Sequence, residues 1–292
     1  MQVVANGIGI EVDDQGPANA EPLLLIMGLG MQLIGWPDDF VQLLVSRGFR
    51  VIRIDNRDAG LSQSFDHLGM PHLALGALRH VLHLPVKAPY GLHDMAADAV
   101  GVLDVLNIQQ AHICGASLGG MVSQHMAARH PQRVKSLTLM MTTSGSRKLP
   151  QPNWRVQRAL LSRPDGQDPA AVVAHLQKLL VIIGSPAYPA EPEALRRRLL
   201  ASVQRSYRPA GTARQLMAVA ADGDRSALLP LIQSPTQIIH GLADALVPVG
   251  AGQDLAVRIK GARIDLVPGM GHDLPVQLLP RFADAIASIA RG

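Results

Sequence analysis

The sequence predicts an α/β fold, in which a mostly parallel sheet carries helices on both faces and a helical segment is inserted into it. Strand and helix patterns alternate from residue 23 to residue 142, as in parallel strands joined by crossover helices. Between about residues 144 and 226 only helical patterns follow one another, and the alternation resumes over residues 237–290. We therefore expect a core domain of residues 1–143 and 227–292, with residues 144–226 as an inserted helical cap.

Hydrophobic periodicity and turn residues predict the individual elements. Residues 1–22 hold short alternating segments broken by Asn6-Gly7 and Gly16-Pro17, which predicts a hairpin. Short continuous apolar runs indicate strands buried on both faces, and apolar spacings of three and four residues indicate helices. The predicted parallel strands are residues 23–27, 50–54, 111–116, 134–141, 237–240 and 263–267. The predicted helices are residues 36–47, 93–106, 117–129, 251–257 and 276–290 in the core and residues 154–161, 170–180, 193–207 and 213–221 in the cap.

The composition is that of an ordinary globular protein of 292 residues, with 48% hydrophobic and 17% charged residues. A chain of this length supports a full core, either as one domain with an insertion or as two domains. The formal charge of +4 is small and scattered, and no recognition motif accompanies it, so we expect no nucleic-acid partner. A single cysteine, Cys114, excludes an internal disulfide.

From the sequence we expect neither a signal peptide nor a membrane span. The first residues lack a basic start followed by a long apolar run, and no stretch of 18 apolar residues occurs. We therefore expect a cytoplasmic protein without a membrane span. The patterns leave the oligomeric state open between monomer and dimer.

The strongest signal for chemistry is the sequence Gly-Ala-Ser-Leu-Gly at residues 115–119. It lies between a predicted buried strand and a predicted helix, the setting in which a strand–turn–helix presents a nucleophilic serine. Such a turn is sharp and strained, and only small neighbours such as Gly115, Ala116 and Gly119 fit around it. Ser117 is therefore the candidate nucleophile, and the alternative is a serine that only caps the helix.

A serine nucleophile needs a base, and the base needs an acceptor for its second ring nitrogen. His272 lies in a glycine-containing loop after the last predicted strand, at the sheet edge where open α/β sheets build their sites. Asp244 lies in the loop after the preceding strand, and the chain order Ser, Asp, His is that of serine hydrolases on such sheets. The alternatives are a surface-loop histidine and an aspartate that caps a turn.

Acyl transfer also needs hydrogen-bond donors for the oxyanion that develops on the substrate. One candidate is the backbone N–H of Leu118, directly after the nucleophile. The other is the backbone N–H of Leu29, or of Gly30, in the glycine-rich loop after the first parallel strand. Met31 and Met270 flank these positions and are candidates for the wall of a substrate pocket.

Three segments together resemble one branch of a known enzyme superfamily. Residues 26–30 read Ile-Met-Gly-Leu-Gly and residues 35–37 Gly-Trp-Pro, residues 55–62 read Asp-Asn-Arg-Asp-Ala-Gly-Leu-Ser, and residues 115–120 read Gly-Ala-Ser-Leu-Gly-Gly. They resemble the aclacinomycin methylesterase-like branch of the α/β-hydrolase superfamily. The resemblance covers nearly the whole chain and is weakest in residues 144–226.

The resemblance implies the α/β-hydrolase fold with an eight-stranded sheet, a helical lid and carboxylesterase chemistry without a cofactor. The nucleophile, acid and base of the superfamily fall on Ser117, Asp244 and His272. The sequence departs from the commonest pattern at residues 27–28, which are Met-Gly where many relatives carry His-Gly. This branch tolerates methionine there.

These observations predict a serine carboxylic-ester hydrolase that acts on a small or medium apolar ester through an acyl-serine. Asp55 and Arg57 are expected to brace their loop through an ion pair. No His, Cys and Asp cluster has the spacing of metal ligands, so we expect no metal. Two kinds of alternative stay open. One is another chemistry on the same site, by a lactonase, a C–C bond hydrolase or a cofactor-free perhydrolase; the other is a ligand-binding receptor with little turnover.

Overall fold

The computed structural model describes residues 1–166 and 168–292, and within these ranges one sheet of eight strands forms the centre of the protein. The strands are β1 (Gln2–Ala5), β2 (Ile8–Gln15), β3 (Glu21–Ile26), β4 (Phe49–Ile54), β5 (Ala111–Ala116), β6 (Val134–Met140), β7 (Thr236–Gly241) and β8 (Arg263–Val267). Their order across the sheet is β1-β2-β4-β3-β5-β6-β7-β8. The β1–β2 and β2–β4 pairs are antiparallel, and every pair from β4 to β8 is parallel. The predicted hairpin and mostly parallel sheet are thus present.

The helices of the described chain connect the strands or lie between β6 and β7. Those in the first part are α1 (Asp38–Val45), α2 (Leu73–Val81), α3 (Leu92–Val105) and α4 (Leu118–Arg129). Between β6 and β7 are α5 (Trp154–Leu161), α6 (Pro169–Ile183), α7 (Pro192–Arg205) and α8 (Pro209–Asp222), and after β7 follow α9 (Gly250–Arg258) and α10 (Leu279–Arg291). Within the described ranges, no helix is both long and apolar enough to cross a membrane.

Alternating side chains of the central strands explain why helices cover both faces of the sheet. Leu24 and Ile26 pack into one core cluster with α3, α4 and α9. Leu23 and Leu25, which point the other way, pack into a second cluster with α1 and α10. Because both faces are buried, the central strands carry runs of apolar residues, such as residues 23–26 of β3, which is the pattern that predicted that strand. Because β3 to β8 pair in parallel, their carboxyl ends share one edge of the sheet.

Among the α-helices and strands of the described chain, α2 is the one that the sequence patterns do not predict. Its apolar residues do not form a buried stripe: Leu75, Leu78 and Val81 are exposed, and Gly76 is its buried residue. Gly76 lies against α8, since a Cβ placed on it would come 2.5 Å from the sulfur of Met217. The contact that stabilises α2 is thus a distant one, which local periodicity does not reveal.

A buried ion pair holds α8 against the loop that follows β4. The guanidinium of Arg214 donates to both carboxylate oxygens of Asp58, at 2.7 and 2.8 Å, and both residues are buried. The hydroxyl of Tyr90 also donates to Asp58, at 2.8 Å. Burial opposes ionisation of Asp58, but the hydrogen bonds from Arg214, the Phe65 amide and Tyr90 together lower its pKa.

We expect Asp58→Asn to lower the free energy of unfolding by about 3 kcal/mol, because it leaves the buried Arg214 cation without its main counterion. Urea denaturation at neutral pH measures this as a lower midpoint at unchanged slope. Asp66→Asn is the matched control, since Asp66 pairs with the same guanidinium but is exposed, and it should cost less than about 1 kcal/mol. Equal midpoint shifts for the two variants would contradict this account.

The same ion pair predicts the sign of a pH effect. Because the pKa of Asp58 is lower in the folded protein than in the unfolded chain, the pair stabilises the fold above the unfolded-state pKa. That contribution is lost as the pH falls through the folded-state pKa.

Candidate active site

Ser117 occupies a strained turn between β5 and α4, with φ of +54° and ψ of −118°. A residue other than glycine rarely adopts a positive φ, and such strain concentrates at functional turns. Two neighbouring glycines make the turn possible, since a Cβ on Gly115 would overlap the backbone of Gly119 and one on Gly119 would overlap the carbonyl of Ile26. The amide of Ser117 donates to the carbonyl oxygen of Met140 at 2.9 Å, which ties the turn to the end of β6.

His272 lies in the loop after β8 and meets Ser117 at the shared carboxyl edge of the sheet. Its Nε2 is 3.0 Å from the Ser117 Oγ, and its Nδ1 is 2.8 Å from Oδ2 of Asp244. The Asp244 carboxylate only accepts hydrogen bonds, so Nδ1 carries the proton and Nε2 accepts from the serine hydroxyl. The structure thus brings together the three residues that the sequence pointed to, in one hydrogen-bonded line.

Asp244 is buried and held from the other side by backbone. Its Oδ1 accepts from the amides of Leu246 and Val247 at 2.9 and 2.7 Å, which leaves Oδ2 for His272. A second histidine, His240, lies 3.6 Å from Oδ2, but its Nε2 donates to the carbonyl of Val247. Burial lowers the pKa of His240, which keeps that ring neutral beside the aspartate.

The glycine-rich loop after β3 lies directly against the serine. A Cβ on Gly28 would come 3.2 Å from the Cβ of Ser117, so this backbone passes beside the hydroxyl. In the described chain the amides of Leu29 and Leu118 donate to no protein acceptor. The amide of Gly30 donates to the side chain of Gln215 at 2.8 Å. Of the two amides that the sequence left open in this loop, Leu29 is therefore the free donor and Gly30 is not.

The two methionines suggested for the pocket lie in different surroundings. Met31 is 37% exposed beside the same loop. Met270 is fully buried and packs in the core cluster that contains Met27 and Met140. Met270 thus lies among core side chains, and Met31 lies at the surface.

The predicted ion pair between Asp55 and Arg57 is wrong, although both residues do brace loops. Asp55 pairs with Arg205 of α7 at 2.7 Å, and its carboxylate also accepts from the amides of Leu33 and Leu61. Arg57 pairs with Asp98 of α3 at 2.6 Å. The chain turns immediately after β4, so the two side chains point to different elements and do not share a face as they would in a continuing strand.

The loop that carries His272 is also held by the segment after α6, a contact that the sequence patterns did not predict. The amide of His272 donates to the carbonyl of Ile183, at the end of α6, at 2.7 Å. The hydroxyl of Ser185 accepts from the amide of Gly271 at 2.8 Å and donates to Asp273. Burial raises the pKa of Asp273. The sequence Gly-Ser-Pro at residues 184–186 predicts only a break between helices, and nothing local in it indicates contact with a loop 86 residues away.

The fold of the chain matches a known protein family. The model of the family described as alpha/beta hydrolase fold matches residues 21–276. The chain therefore belongs to the α/β-hydrolase family, and the predicted eight-stranded α/β-hydrolase fold is confirmed.

Two relatives with more than 30% sequence identity are named as methylesterases. A protein named rhodomycin D methylesterase DauP, from Streptomyces sp. (strain C5), is 32% identical to this chain over 94% of the chain and 92% of that protein. A rhodomycin D methylesterase from Streptomyces peucetius is 31% identical over the same shares of both chains. These relatives confirm the resemblance to the methylesterase-like branch and the predicted enzyme class, a carboxylesterase-type hydrolase.

Other similar proteins have names that indicate other hydrolytic reactions. A 2-hydroxymuconate semialdehyde hydrolase from Pseudomonas sp. (strain CF600) is 26% identical over 98% of this chain and 91% of that protein. The crystal structure of an enol-lactonase from Burkholderia xenovorans LB400 superposes with a TM-score of 0.77 over the whole of both chains, at 23% identity. At that identity the structural likeness concerns the fold alone.

Proposed function

We propose that the protein is a serine carboxylic-ester hydrolase that works through an acyl-serine, with Ser117 as nucleophile, His272 as base and Asp244 as the acid that orients the base. One observation carries the proposal: the unbroken hydrogen-bonded line from the Ser117 hydroxyl through both nitrogens of His272 to Asp244. Serine alone is a poor nucleophile at neutral pH, and this line supplies the base that activates it.

The proposed reaction has two steps. The Oγ of Ser117 attacks the ester carbonyl while Nε2 of His272 takes the hydroxyl proton, and the carbonyl oxygen becomes an oxyanion. The amides of Leu118 and Leu29 donate to that oxyanion. His272 returns the proton to the departing alcohol, and water, activated by the same imidazole, then hydrolyses the acyl-serine.

We further propose that residues 144–226 form a cap over a core of residues 1–143 and 227–292, and that the cap selects the substrate. Helices α5 to α8 all fall in this segment, and α8 contacts both the Gly30 loop and the loop after β4. The proposed substrate is a small or medium apolar ester, and the half-exposed Met31 is the candidate contact for it. The names of the methylesterase relatives support an ester.

A fluorophosphonate probe tests the proposed nucleophile directly. The probe reacts with activated serines, so the protein should become labelled at neutral pH, and mass spectrometry of the digest should locate the adduct at Ser117. Labelling at another serine, or none by a folded protein, would overturn the assignment.

Hydrolysis of a lactone or of a C–C bond is the second candidate. The semialdehyde hydrolase among the relatives favours it, and such chemistry would use the same three residues. A panel of p-nitrophenyl esters, methyl esters, lactones and vinylogous diketones separates the candidates through their kcat/KM values, and we expect the esters to be preferred.

A further inference from the structure

Gln215 of α8 connects an inserted helix to the loop that carries the proposed oxyanion donor. It is fully buried, and both ends of its side-chain amide are engaged. Its Oε1 accepts from the amide of Gly30 at 2.8 Å, and its Nε2 donates to the carbonyl of Arg57 at 2.7 Å. Because one partner only donates and the other only accepts, the orientation of the amide is unambiguous.

The loop is held closely on both sides of Leu29. On one side Gly28 lies against Ser117. On the other side Gly30 has φ of +65°, and a Cβ on it would come 2.5 Å from the hydroxyl oxygen of Thr212, one turn before Gln215 on α8. The amide of Leu29 lies between these two fixed glycines, so its direction depends on where Gly30 is held.

We infer that Gln215 is a positioning residue for the oxyanion hole, which keeps the Leu29 amide aimed at the developing oxyanion by taking up the amide of Gly30. The inference rests on the proposed acyl-transfer function. It also assigns the inserted helices a part in the chemical step, beyond covering the site. Preorganised donors act on the transition state more than on the bound substrate, so the effect should be on kcat.

The next residue with a buried side chain in this loop is held in the same way, which supports the inference. The Nε2 of Gln32 donates to the carbonyls of Ser202 and Ser206 at 2.7 Å each, and its Oε1 accepts from Arg205 at 2.6 Å. Arg205 also pairs with Asp55, whose carboxylate accepts from Leu33. Helices α7 and α8 therefore fix this loop at two positions with buried polar side chains.

The test is Gln215→Met, which keeps the length of the side chain and removes both hydrogen bonds. We expect kcat to fall about 10- to 100-fold with KM changed less than about threefold, since a small displacement of a catalytic group has effects of that size. Affinity for a trifluoromethyl ketone, which forms a tetrahedral adduct with the serine, should fall by the same factor as kcat/KM. Gln42→Met, on an exposed surface of α1, is the matched control and should change neither value.

A merely structural role predicts a different pattern. If Gln215→Met only lowered the fraction of folded enzyme, kcat would fall in proportion to the active sites titrated by the fluorophosphonate, and the inhibition constant of the ketone would stay at its wild-type value. That pattern would overturn the inference. So would a variant with wild-type kcat and wild-type ketone affinity.

A second variant keeps the inference testable if Gln215→Met does not fold. Gln215→Glu retains an acceptor for the amide of Gly30 and loses the donor to Arg57, so we expect it to keep the wild-type ketone affinity and the wild-type kcat per titrated active site. Loss of ketone affinity in this variant as well would contradict the inference. The proposed function fails separately, if the wild-type enzyme is not labelled at Ser117.

Discussion

Replacing Ser117 with alanine should lower kcat on carboxylic esters by at least about 10⁴-fold, while the protein stays folded. The size follows from removing the proposed nucleophile of a hydrogen-bonded unit whose members would act together, so that losing one loses most of the catalysis. Initial rates on the best p-nitrophenyl ester, over a range of substrate concentrations, give kcat and KM for both proteins. KM should change little, because the hydroxyl contributes to the transition state and not to ground-state binding.

Ser117→Ala carries little risk for the fold. Ser117 adopts φ of +54°, and a residue as small as alanine fits wherever this serine fits. The serine side chain has no hydrogen-bond partner among the described protein groups besides His272. The matched control is Ser46→Ala, whose exposed hydroxyl donates to Leu43 and should leave kcat unchanged. Retention of more than about a tenth of the wild-type kcat by Ser117→Ala would exclude the acyl-serine mechanism, since the unit depends on its nucleophile.

The sheet and the strained turn at Ser117 were predictable because their causes are local. Residues 23–26 of β3 are consecutively apolar since both faces of that strand are buried, and the turn at Ser117 needs small neighbours that stand next to it in the sequence. His272 and Asp244 were predictable because the carboxyl ends of parallel strands share one edge. The predicted boundaries differ from the observed ones by a few residues, as at α6, which begins at Pro169.

The contacts that organise the site were not predictable, because each joins residues far apart in the sequence. Gln215 and Gly30 are 185 residues apart, and Arg205 and Asp55 are 150 apart. A glutamine in an amphipathic helix gives no local sign of whether it faces solvent or a distant backbone amide. Arg57 is close to Asp55 in the sequence, but Asp55 pairs with Arg205, and Arg57 pairs with Asp98. Periodicity predicts faces of elements but not which polar groups meet across them.

The surroundings of Asp244 make its substitution by asparagine unusually informative. Oδ1 of the aspartate accepts from the amides of Leu246 and Val247, which only donate. An asparagine would therefore keep its oxygen on these two amides and turn its NH₂ group toward Nδ1 of His272. Nδ1 must then accept a hydrogen bond, and the ring proton moves to Nε2, the nitrogen that faces Ser117. The proposed base, His272, is then already protonated at the nitrogen that has to receive the serine proton.

Asp244→Asn should consequently lower kcat by about 10³- to 10⁴-fold, as expected for a base held in the wrong tautomer. The volume of the side chain and its two backbone hydrogen bonds are kept, so the melting temperature should change little. The rate of labelling by the fluorophosphonate should fall together with kcat, because the probe requires the same activated hydroxyl. Kinetics on the preferred ester and nitrogen NMR of His272 measure the two parts of this expectation.

Asp265→Asn is the matched control, since it makes the same chemical change on β8 at an aspartate that pairs with Arg281 at the surface, and it should leave kcat unchanged. If Asp244→Asn retained most of its activity while His272 kept its proton on Nδ1, the carboxylate would not be what sets the tautomer. His240, 3.6 Å from Oδ2, is the other group near that carboxylate, but its Nε2 hydrogen bond to Val247 ties it to the backbone. Among the described side chains, Asp244 is thus the one that accepts from Nδ1 of His272, so a single oxygen-to-nitrogen exchange should lower kcat strongly.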